Sequence, residues 1–424
     1  MYMQSHSHCF NACLKGRFFN IMESKEYLKR SDTDDDARID WGIIFCVLVL
    51  AVIGMTALYV ALSHDNIANP TKVLFSQAIW YFIGIGAVWF IMQFDAEQLW
   101  KIAPVAYGIG IVLLILVLFM YSRTYFDHSG AKSWFAFGPL TFQPSEVMKP
   151  AYILMLGRVV SMHNSEYATH TLQSDAILLG KMFVWTIPVA VLLKLQNDFG
   201  TMLVFFAILA GVVLVSGILW RIIVTLGIAA TVVSGTAIFL VIYNRDILTK
   251  IGFKAYQFSR IDSWLDPSSA SGSDSYQLWQ SMKAIGSGQL LGKGFNVSHV
   301  YVPVRESDMI FSVIGENFGF IGCCLLIFIY MLLIFQMIQI TFDTKNEFYA
   351  YISTGVIMMI LFHVFENIGM NIGLLPLTGI PLPFVSQGGS ALVGNMIGIG
   401  MIMSMRYHNK SYMFSNEKDF ENIN

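Results

Sequence analysis

The chain has 424 residues, of which 55% are hydrophobic and only 13% are charged. Soluble globular domains carry about 25% charged residues, so this chain has too few charged side chains to coat a water-soluble body of its length. The composition therefore indicates a membrane protein. The net charge is −2 and no dense basic segment points to a nucleic acid. The five cysteines show no spacing typical of a disulfide framework.

Ten hydrophobic segments follow one another along the chain. A helix needs about 20 apolar residues to cross a bilayer, and most of these runs reach that length. The runs are unbroken, whereas the strands of a membrane barrel would alternate. We predict an all-α polytopic membrane protein with about ten transmembrane helices and re-entrant segments. The predicted spans are 42–62, 72–92, 102–121, 143–162, 180–195, 200–217, 219–243, 309–339, 348–369 and 388–407.

Lysines and arginines indicate the orientation, because they accumulate on the cytoplasmic side of membrane proteins. With both termini in the cytoplasm, fourteen of them lie on the inner side, and the short outer loops hold four, Lys72, Arg123, Lys132 and Lys194. The long loop 244–308, between helices 7 and 8, is then extracytoplasmic. The predicted domains are a disordered cytoplasmic N-terminal segment, a transmembrane domain and a cytoplasmic tail, at 1–41, 42–407 and 408–424.

Two polar clusters interrupt the hydrophobic pattern in the first half of the chain. The first, 132–149, has a turn at Gly138-Pro139 and then a predicted helix start at Pro144 or Ser145. By itself it could be a capped re-entry with an interfacial tryptophan. The second, 194–201, places a lysine and an aspartate near helix ends, where they must pair with each other or meet a ligand.

Two further clusters lie in the second half. The long loop contains Gly-Ser-Gly at 286–288 and Gly-Lys-Gly at 292–294, which allow a close backbone approach or a positive φ. They are only a weak match to a phosphate-binding loop. The segment 373–390 has three prolines and repeated glycines, so it cannot form a continuous helix. Because such backbone is tolerated at membrane depth only when protein or a cavity surrounds it, we predict a re-entrant segment that lines a site.

Asp308 is the most informative single residue. It stands where the polar loop meets an apolar helix, near the level of the lipid headgroups. One interpretation is an ordinary helix N-cap. The other is a general base placed at the headgroup of a lipid-linked substrate. Glu316 lies eight residues further, about 12 Å along a helix, so these two carboxylates cannot share a proton and catalysis would depend on one base.

The four clusters, in this order and on this topology, resemble the SEDS family (shape, elongation, division and sporulation proteins). The resemblance covers about 42–407. Within the family, the Trp264-to-Gly294 stretch and the motif Thr378-Gly379-Ile380-Pro381-Leu382-Pro383 with Gly389-Ser390-Ala391 look like the rod-shape, RodA-like branch; the division, FtsW-like branch is the close rival. The chain departs from the family pattern at Asn197, Met309, Asn317 and Gln387, which stand where Pro, Phe, Glu and Tyr are usual.

The resemblance implies a peptidoglycan glycosyltransferase that polymerises lipid II for cell-wall elongation. It also implies partnership with a class B penicillin-binding protein and other proteins of the elongation machinery. Asp308 matches the family's catalytic aspartate. Trp134 matches a functionally important tryptophan of the first cluster, and Lys194 and Asp198 match the Lys–Asp motif between the fifth and sixth helices.

The predicted site combines this resemblance with the chemistry of the residues. Lys132, Lys194, Lys293 and Arg305 are candidates to face the lipid diphosphate, since cations stabilise a leaving group that gathers negative charge. Glu316 and Ser386 complete the predicted substrate-binding residues. We expect no resident cofactor; a divalent cation, Mg²⁺ or Mn²⁺, would come with the substrate diphosphate. Two alternatives are a lipid II flippase, which needs no base, and a scaffold without activity.

Overall fold

The computed structural model describes residues 39–64, 69–137, 140–167, 169–251, 255–268, 272–344 and 346–420. The described residues from Asp40 onward form one compact unit. The predicted disordered segment therefore lies almost wholly outside the described residues. The elements are α1 Trp41–His64, α2 Pro70–Met92, α3 Ala96–Met120, α4 Arg123–Ser129, β1 Phe135–Phe137, β2 Leu140–Phe142, α5 Pro144–Glu166, α6 Leu172–Gln196, α7 Phe199–Val215, α8 Trp220–Tyr243, α9 Arg245–Ile251, α10 Ala255–Leu265, α11 Ser273–Ser287, α12 Ile310–Asp343, α13 Glu347–Asn371 and α14 Gly389–Phe420.

Ten of these helices coincide with the ten predicted spans, which confirms an all-α polytopic membrane protein. Seven of the described helices are long and apolar enough to cross a membrane: α1, α2, α3, α6, α8, α12 and α13. The helix α7 is apolar but has only 17 residues. The other two, α5 and α14, are the spans with lower hydrophobicity, and most of the described side chains of both are buried by protein. Such helices need less apolar surface because they face other helices instead of lipid.

The interior of the bundle is built around α5 and α13. Pro144 occupies the first turn of α5, in agreement with the predicted start at Pro144 or Ser145. Gln143 is the N-cap residue of this helix. The helix α5 packs against α3 and α13, while α13 also packs against α7. Around this centre, α14 packs on α2 and α12 packs on α1. The helix α8 lies at the periphery, with Val241 as its one buried residue.

The long helix α12 is interrupted at Gly319, where φ is +64°. The loop after α11 fills this break. The carbonyls of Gln289 and Leu290 accept hydrogen bonds from the N–H groups of Phe320 and Ile321, at 2.9 and 3.2 Å. These bonds satisfy backbone groups that a continuous helix would have paired internally.

The predicted glycines of the long loop are explained by this contact. A Cβ on Gly288 would lie 1.9 Å from the carbonyl oxygen of Gly315, and one on Gly292 would lie 2.1 Å from that of Asn317. Gly292 also has a φ of +85°. Only glycine permits both the close approach and the left-handed conformation, so the motif serves helix packing.

A short hairpin, β1 and β2, was not predicted. The two strands pair antiparallel, with Phe135 opposite Phe142 and Ala136 opposite Thr141. The predicted turn at Gly138-Pro139 lies outside the described residues. The hairpin carries the chain from the first polar cluster into the start of α5.

Candidate functional site

The polar clusters that lie far apart in the sequence meet at one end of the bundle. Gln143, just before α5, donates a hydrogen bond to the Asp198 carboxylate at 2.9 Å. Its backbone N–H donates to the Ser390 hydroxyl at 3.3 Å. Gly200 approaches the 378–388 segment so closely that a Cβ added to it would lie 2.9 Å from the backbone carbonyl oxygen of Thr378. The first, second and fourth clusters therefore form one continuous surface.

Asp308 brings the third cluster to the same place. A Cβ on Gly379, whose φ is +75°, would lie 3.3 Å from the carboxylate oxygen Oδ2 of Asp308. The Asp308 carbonyl accepts a hydrogen bond from the Asn367 amide at 2.8 Å. Asp308 does not cap α12, because Met309 is the N-cap residue and no side chain caps this helix. The interpretation as an ordinary N-cap is therefore wrong, and the carboxylate is left for another role.

The Asp308 carboxyl is half-buried, and its pKa is raised from 3.8 to about 6. The main cause is burial, which disfavours the charged form. A hydrogen bond from Ser307 lowers the pKa, the Glu306 carboxylate raises it, and the positive charge of Arg260 lowers it. The result is an acid that is ionised at neutral pH and yet more basic than an ordinary aspartate.

The re-entrant segment 372–388 braces the approach to Asp308. The Ser386 hydroxyl donates to the Ser307 carbonyl at 2.6 Å and accepts from the Leu382 N–H at 2.9 Å. The Gln387 N–H donates to the Glu306 carbonyl at 3.0 Å. Ser386 is buried, so its hydroxyl joins two backbone segments directly before the candidate base.

Lys132 and Trp134 lie between α4 and β1. The Lys132 ammonium stands 5.1 Å from the ring centroid of Tyr121 and 5.7 Å from that of Phe126, within the range of cation–π contacts. Trp134 stacks on Tyr125 with ring centroids 5.9 Å apart. This aromatic cluster borders the second polar cluster, because the Lys132 N–H donates to the Gln196 carbonyl at 2.8 Å.

Lys194 and Asp198 do not form the structural ion pair that the sequence left open. Asp198 is the N-cap of α7 and accepts the Thr201 N–H at 3.1 Å. Lys194 is exposed, and within the described part of the chain no ion pair joins its ammonium to Asp198. Between them, Asn197 has a φ of +60° and ends α6. Its left-handed conformation is one that proline cannot adopt.

Of the remaining predicted residues, Lys293 and Arg305 lie in the loop that leads to Asp308, and Glu316 lies on α12, which follows it. Arg305 is buried and donates to the Ser298 hydroxyl at 2.7 Å. The buried Glu316 carboxylate accepts the His299 N–H at 2.7 Å and the Val300 N–H at 3.1 Å. Lys293 is exposed. Glu316 thus holds the loop backbone, while Lys293 is available to an anionic ligand.

A buried charged cluster lies deeper in the bundle. The Lys149 ammonium is 2.7 Å from the Glu146 carboxylate and 3.0 Å from Nε2 of His363 on α13. All three side chains are buried. Charged groups at this depth are costly unless they pair, and the cluster satisfies that condition.

The comparison with protein families decides the membership of the chain. The family described as "Cell cycle protein" (FtsW/RodA/SpoVE) matches residues 39–411. The chain belongs to this family. The resemblance predicted from the four clusters is thereby confirmed.

Relatives in the FtsW/RodA/SpoVE family are named as enzymes. "Peptidoglycan glycosyltransferase MrdB" of Escherichia coli K12 is 35% identical over 312 residues, which are 73% of this chain and 78% of that protein. "Probable peptidoglycan glycosyltransferase FtsW" of Hydrogenovibrio crunogenus is 27% identical over 390 residues, which are 90% and 95% of the two chains.

Solved structures of the family share the architecture. One, from work titled "Structural coordination of polymerization and crosslinking by a peptidoglycan synthase complex", has a TM-score of 0.69 and 26% identity, and covers 88% of this chain and 98% of that one. The rod shape determining protein RodA of Thermus thermophilus has a TM-score of 0.62 and 26% identity, with 88% and 97% covered.

Sequence reasoning missed several residues of this family member's site. Gln143 was part of a recognised motif but was given no role. Asn367 and Asn371 were not singled out, although two amides four residues apart lie on one face of an apolar helix. His363 lies four residues before Asn367 on that face. Polar residues at this spacing inside a spanning helix were the available signal.

The structure also bears on metal binding. Within the described ranges, no three His, Cys, Asp or Glu side chains lie together as a candidate metal site. A divalent cation carried by the substrate diphosphate stays a prediction.

Proposed function

We propose that this chain polymerises lipid II as a peptidoglycan glycosyltransferase of cell-wall elongation, with Asp308 as the general base. The observation that carries this assignment is a half-buried aspartate with a raised pKa at the point where four polar clusters meet. Catalytic bases are tuned in this way because a pKa near the working pH combines ionisation with basicity.

The reaction needs only one base. Asp308 accepts the proton of the acceptor GlcNAc 4-hydroxyl while that oxygen forms a bond to the anomeric carbon of the donor MurNAc. The bond from this carbon to the lipid diphosphate breaks at the same time, and the electron pair leaves with the diphosphate. A single displacement inverts the α-linked donor to the β-1,4 product. Glu316 takes no part in proton transfer in this scheme, because its carboxylate holds the backbone of the 293–300 loop.

Several cations support departure of the diphosphate. Lys293 and Lys194 are exposed and free to approach an anion, and Lys132 lies beside the same polar surface. Arg305, three residues before Asp308, is buried and acts through the loop that it holds. Trp134 and Asp198 complete the substrate-binding surface, and Ser386 orders the segment behind it.

The proposal includes orientation, partner and branch. The distribution of basic residues supports cytoplasmic termini and an extracytoplasmic 244–308 loop. Asp308 then lies on the side where the sugar of lipid II is used. A structural neighbour couples polymerisation with crosslinking, which supports a class B penicillin-binding protein as partner. The identity of 35% to MrdB, against 27% to the FtsW relative, supports the elongation branch over division.

Polymerisation by purified protein with its partner tests the base. Asp308→Ala should yield no glycan strands from labelled lipid II, while the control Asp246→Ala should yield strands of wild-type length. Asp246 is an exposed aspartate in the same loop, so its loss changes charge without touching the site. Wild-type-like strands from Asp308→Ala would end the general-base proposal.

A lipid II flippase is the second candidate, favoured by the charged cluster of Glu146, Lys149 and His363 inside the bundle. Intramembrane ionisable groups often line transport paths. Reconstituted liposomes separate the two functions. Lipid II flipping that persists in Asp308→Ala, together with a wild-type protein unable to polymerise, would establish transport in place of synthesis.

A further inference from the structure

Two buried asparagines on α13 form hydrogen bonds with the backbone of Asp308. The side-chain amide of Asn367 donates to the Asp308 carbonyl at 2.8 Å, and that of Asn371 donates to the same oxygen at 3.1 Å. Neither asparagine is exposed. Both lie on one face of α13, four residues apart, so their amides reach a single point.

Asn367 also fixes the segment that faces the carboxylate. Its amide nitrogen carries two hydrogens, and the second donates to the Ile380 carbonyl at 2.8 Å. Ile380 follows Gly379, the residue whose missing Cβ leaves room for Asp308 Oδ2. The Asn367 amide thus fixes the distance between the backbone of Asp308 and the backbone of Ile380.

Asn371 extends the arrangement to the long loop. Its side-chain oxygen accepts a hydrogen bond from the Ser281 hydroxyl on α11 at 3.0 Å. Its amide also donates to the Asn367 carbonyl at 2.8 Å. The helix α13 therefore joins the loop helix, the re-entrant segment and the start of α12 through two side chains.

We propose that Asn367 is the positioning residue of the glycosyl transfer, which holds the Asp308 carboxylate against Gly379, and that Asn371 supports it. The inference rests on the proposed role of Asp308. Asn367 does not touch the substrate in this scheme; it acts by fixing the backbone on both sides of the base.

The chemistry of the amide makes this role specific. An alanine at 367 removes the donor to the Ile380 carbonyl and leaves the Asp308 carbonyl with the longer bond from Asn371, at 3.1 Å. An aspartate at 367 would place carboxylate oxygens against both carbonyl oxygens. A serine keeps one donor. Because a misplacement of about 1 Å at a catalytic group can cost about 100-fold in rate, we expect Asn367→Ala to lower kcat by about that factor. The KM for lipid II should change by less than about threefold, since the binding surface is intact.

The control is Asn164→Ala. The Asn164 amide also donates two hydrogen bonds, to the Ser216 carbonyl at 3.1 Å and the Tyr351 hydroxyl at 2.9 Å. It bridges helices as Asn367 does but has no contact with Asp308, so its loss reports the cost of removing such a bridge alone. We expect kcat in this variant within about threefold of wild type.

The experiment measures kcat, KM and the pH profile of polymerisation by purified protein with its partner. Asn367→Ala should lower kcat and shift the acidic limb of the pH profile. Asn367→Ser should have a kcat between those of Asn367→Ala and the wild type. Asn164→Ala should change neither kcat nor the acidic limb. Burial is the main cause of the raised pKa of Asp308, and the neighbouring groups that modify this pKa are Ser307, Glu306 and Arg260. None of them is changed in these variants, so a shifted limb reports the position of the carboxylate.

A second measurement separates this inference from the proposed function. In an Asp308→Asn background, addition of Asn367→Ala should cause no further loss of residual turnover, because the base it positions is already gone. If Asp308→Ala is inactive while Asn367→Ala keeps its kcat and profile, positioning by Asn367 is refuted and the base remains. If Asn367→Ala does not fold, Asn371→Ala must show a smaller kcat loss with an altered pH limb; an unchanged limb refutes the inference.

Discussion

The pH dependence of polymerisation should report the environment of Asp308. A carboxyl with a pKa of about 6 is ionised at pH 7.5 and only about one-tenth ionised at pH 5, whereas one at 3.8 would be ionised at both. Because the base must be ionised to accept a proton, kcat/KM should fall about tenfold between pH 7.5 and pH 5.

Two neighbours should move this acidic limb in opposite directions. Glu306→Gln removes a carboxylate that raises the pKa of Asp308, so the limb should shift to lower pH. Ser307→Ala removes a hydrogen bond that stabilises the charged form, so the limb should shift to higher pH. Asp246→Asn, which changes charge in the same loop away from the site, should leave the limb in place.

The assay is kcat/KM for labelled lipid II from pH 5 to pH 8 at constant ionic strength, with the partner present. This parameter reports the ionisation of the free enzyme. A flat wild-type profile, or shifts of Glu306→Gln and Ser307→Ala in the same direction, would refute the assignment of the limb to Asp308.

Three predictions concern stability, each measured by thermal unfolding in detergent. Asp308→Asn should stabilise the protein at pH 7.5 by up to about 3 kcal/mol. The folded state raises the pKa of this carboxyl from 3.8 to about 6, so it disfavours the charged form that is present above that range. A lower melting temperature for Asp308→Asn would contradict this. Glu146→Gln and Lys149→Met should each lower the stability by about 3–5 kcal/mol, because each leaves one buried charge without its partner. The double variant should lose less than the sum of the two, since it leaves neither charge. Additive losses would show that the two side chains are not coupled. Gly292→Ala should destabilise the protein by more than about 1 kcal/mol, because the new Cβ would lie 2.1 Å from a backbone oxygen of α12. Gly286→Ala should increase the stability by about 0.5–1 kcal/mol, because it lies inside a helix and its Cβ would meet open space. Equal effects of the two substitutions would refute the packing role of the loop.

The sequence by itself determined the fold class and most helix bounds. The span predicted at 42–62 became Trp41–His64, and the one at 348–369 became Glu347–Asn371. These predictions succeeded because the length of an apolar run is a local property that matches the thickness of a bilayer. Helices α9, α10 and α11, which lie in the described parts of the long loop, were missed because they are short and too polar to show such a run.

The composition of the site was predictable only in part. Asp308, Asp198 and Ser386 were chosen from the sequence because they stand where polar clusters interrupt apolar helices. The sequence did not reveal the hydrogen-bond partners of these residues or the packing role of the glycines. Gly292 was recognised as permissive, but only the break in α12 shows which backbone approaches it.

Tertiary structure alone decided how the clusters meet. The Asn367 amide lies 59 residues from the Asp308 carbonyl along the chain, and Gln143 lies 55 residues from Asp198. Hydropathy is a property of each segment alone, whereas these hydrogen bonds depend on which helix faces pack together. The chain therefore encodes its membrane helices locally, and the surroundings of its candidate base exist only once α5, α7, α12 and α13 have assembled.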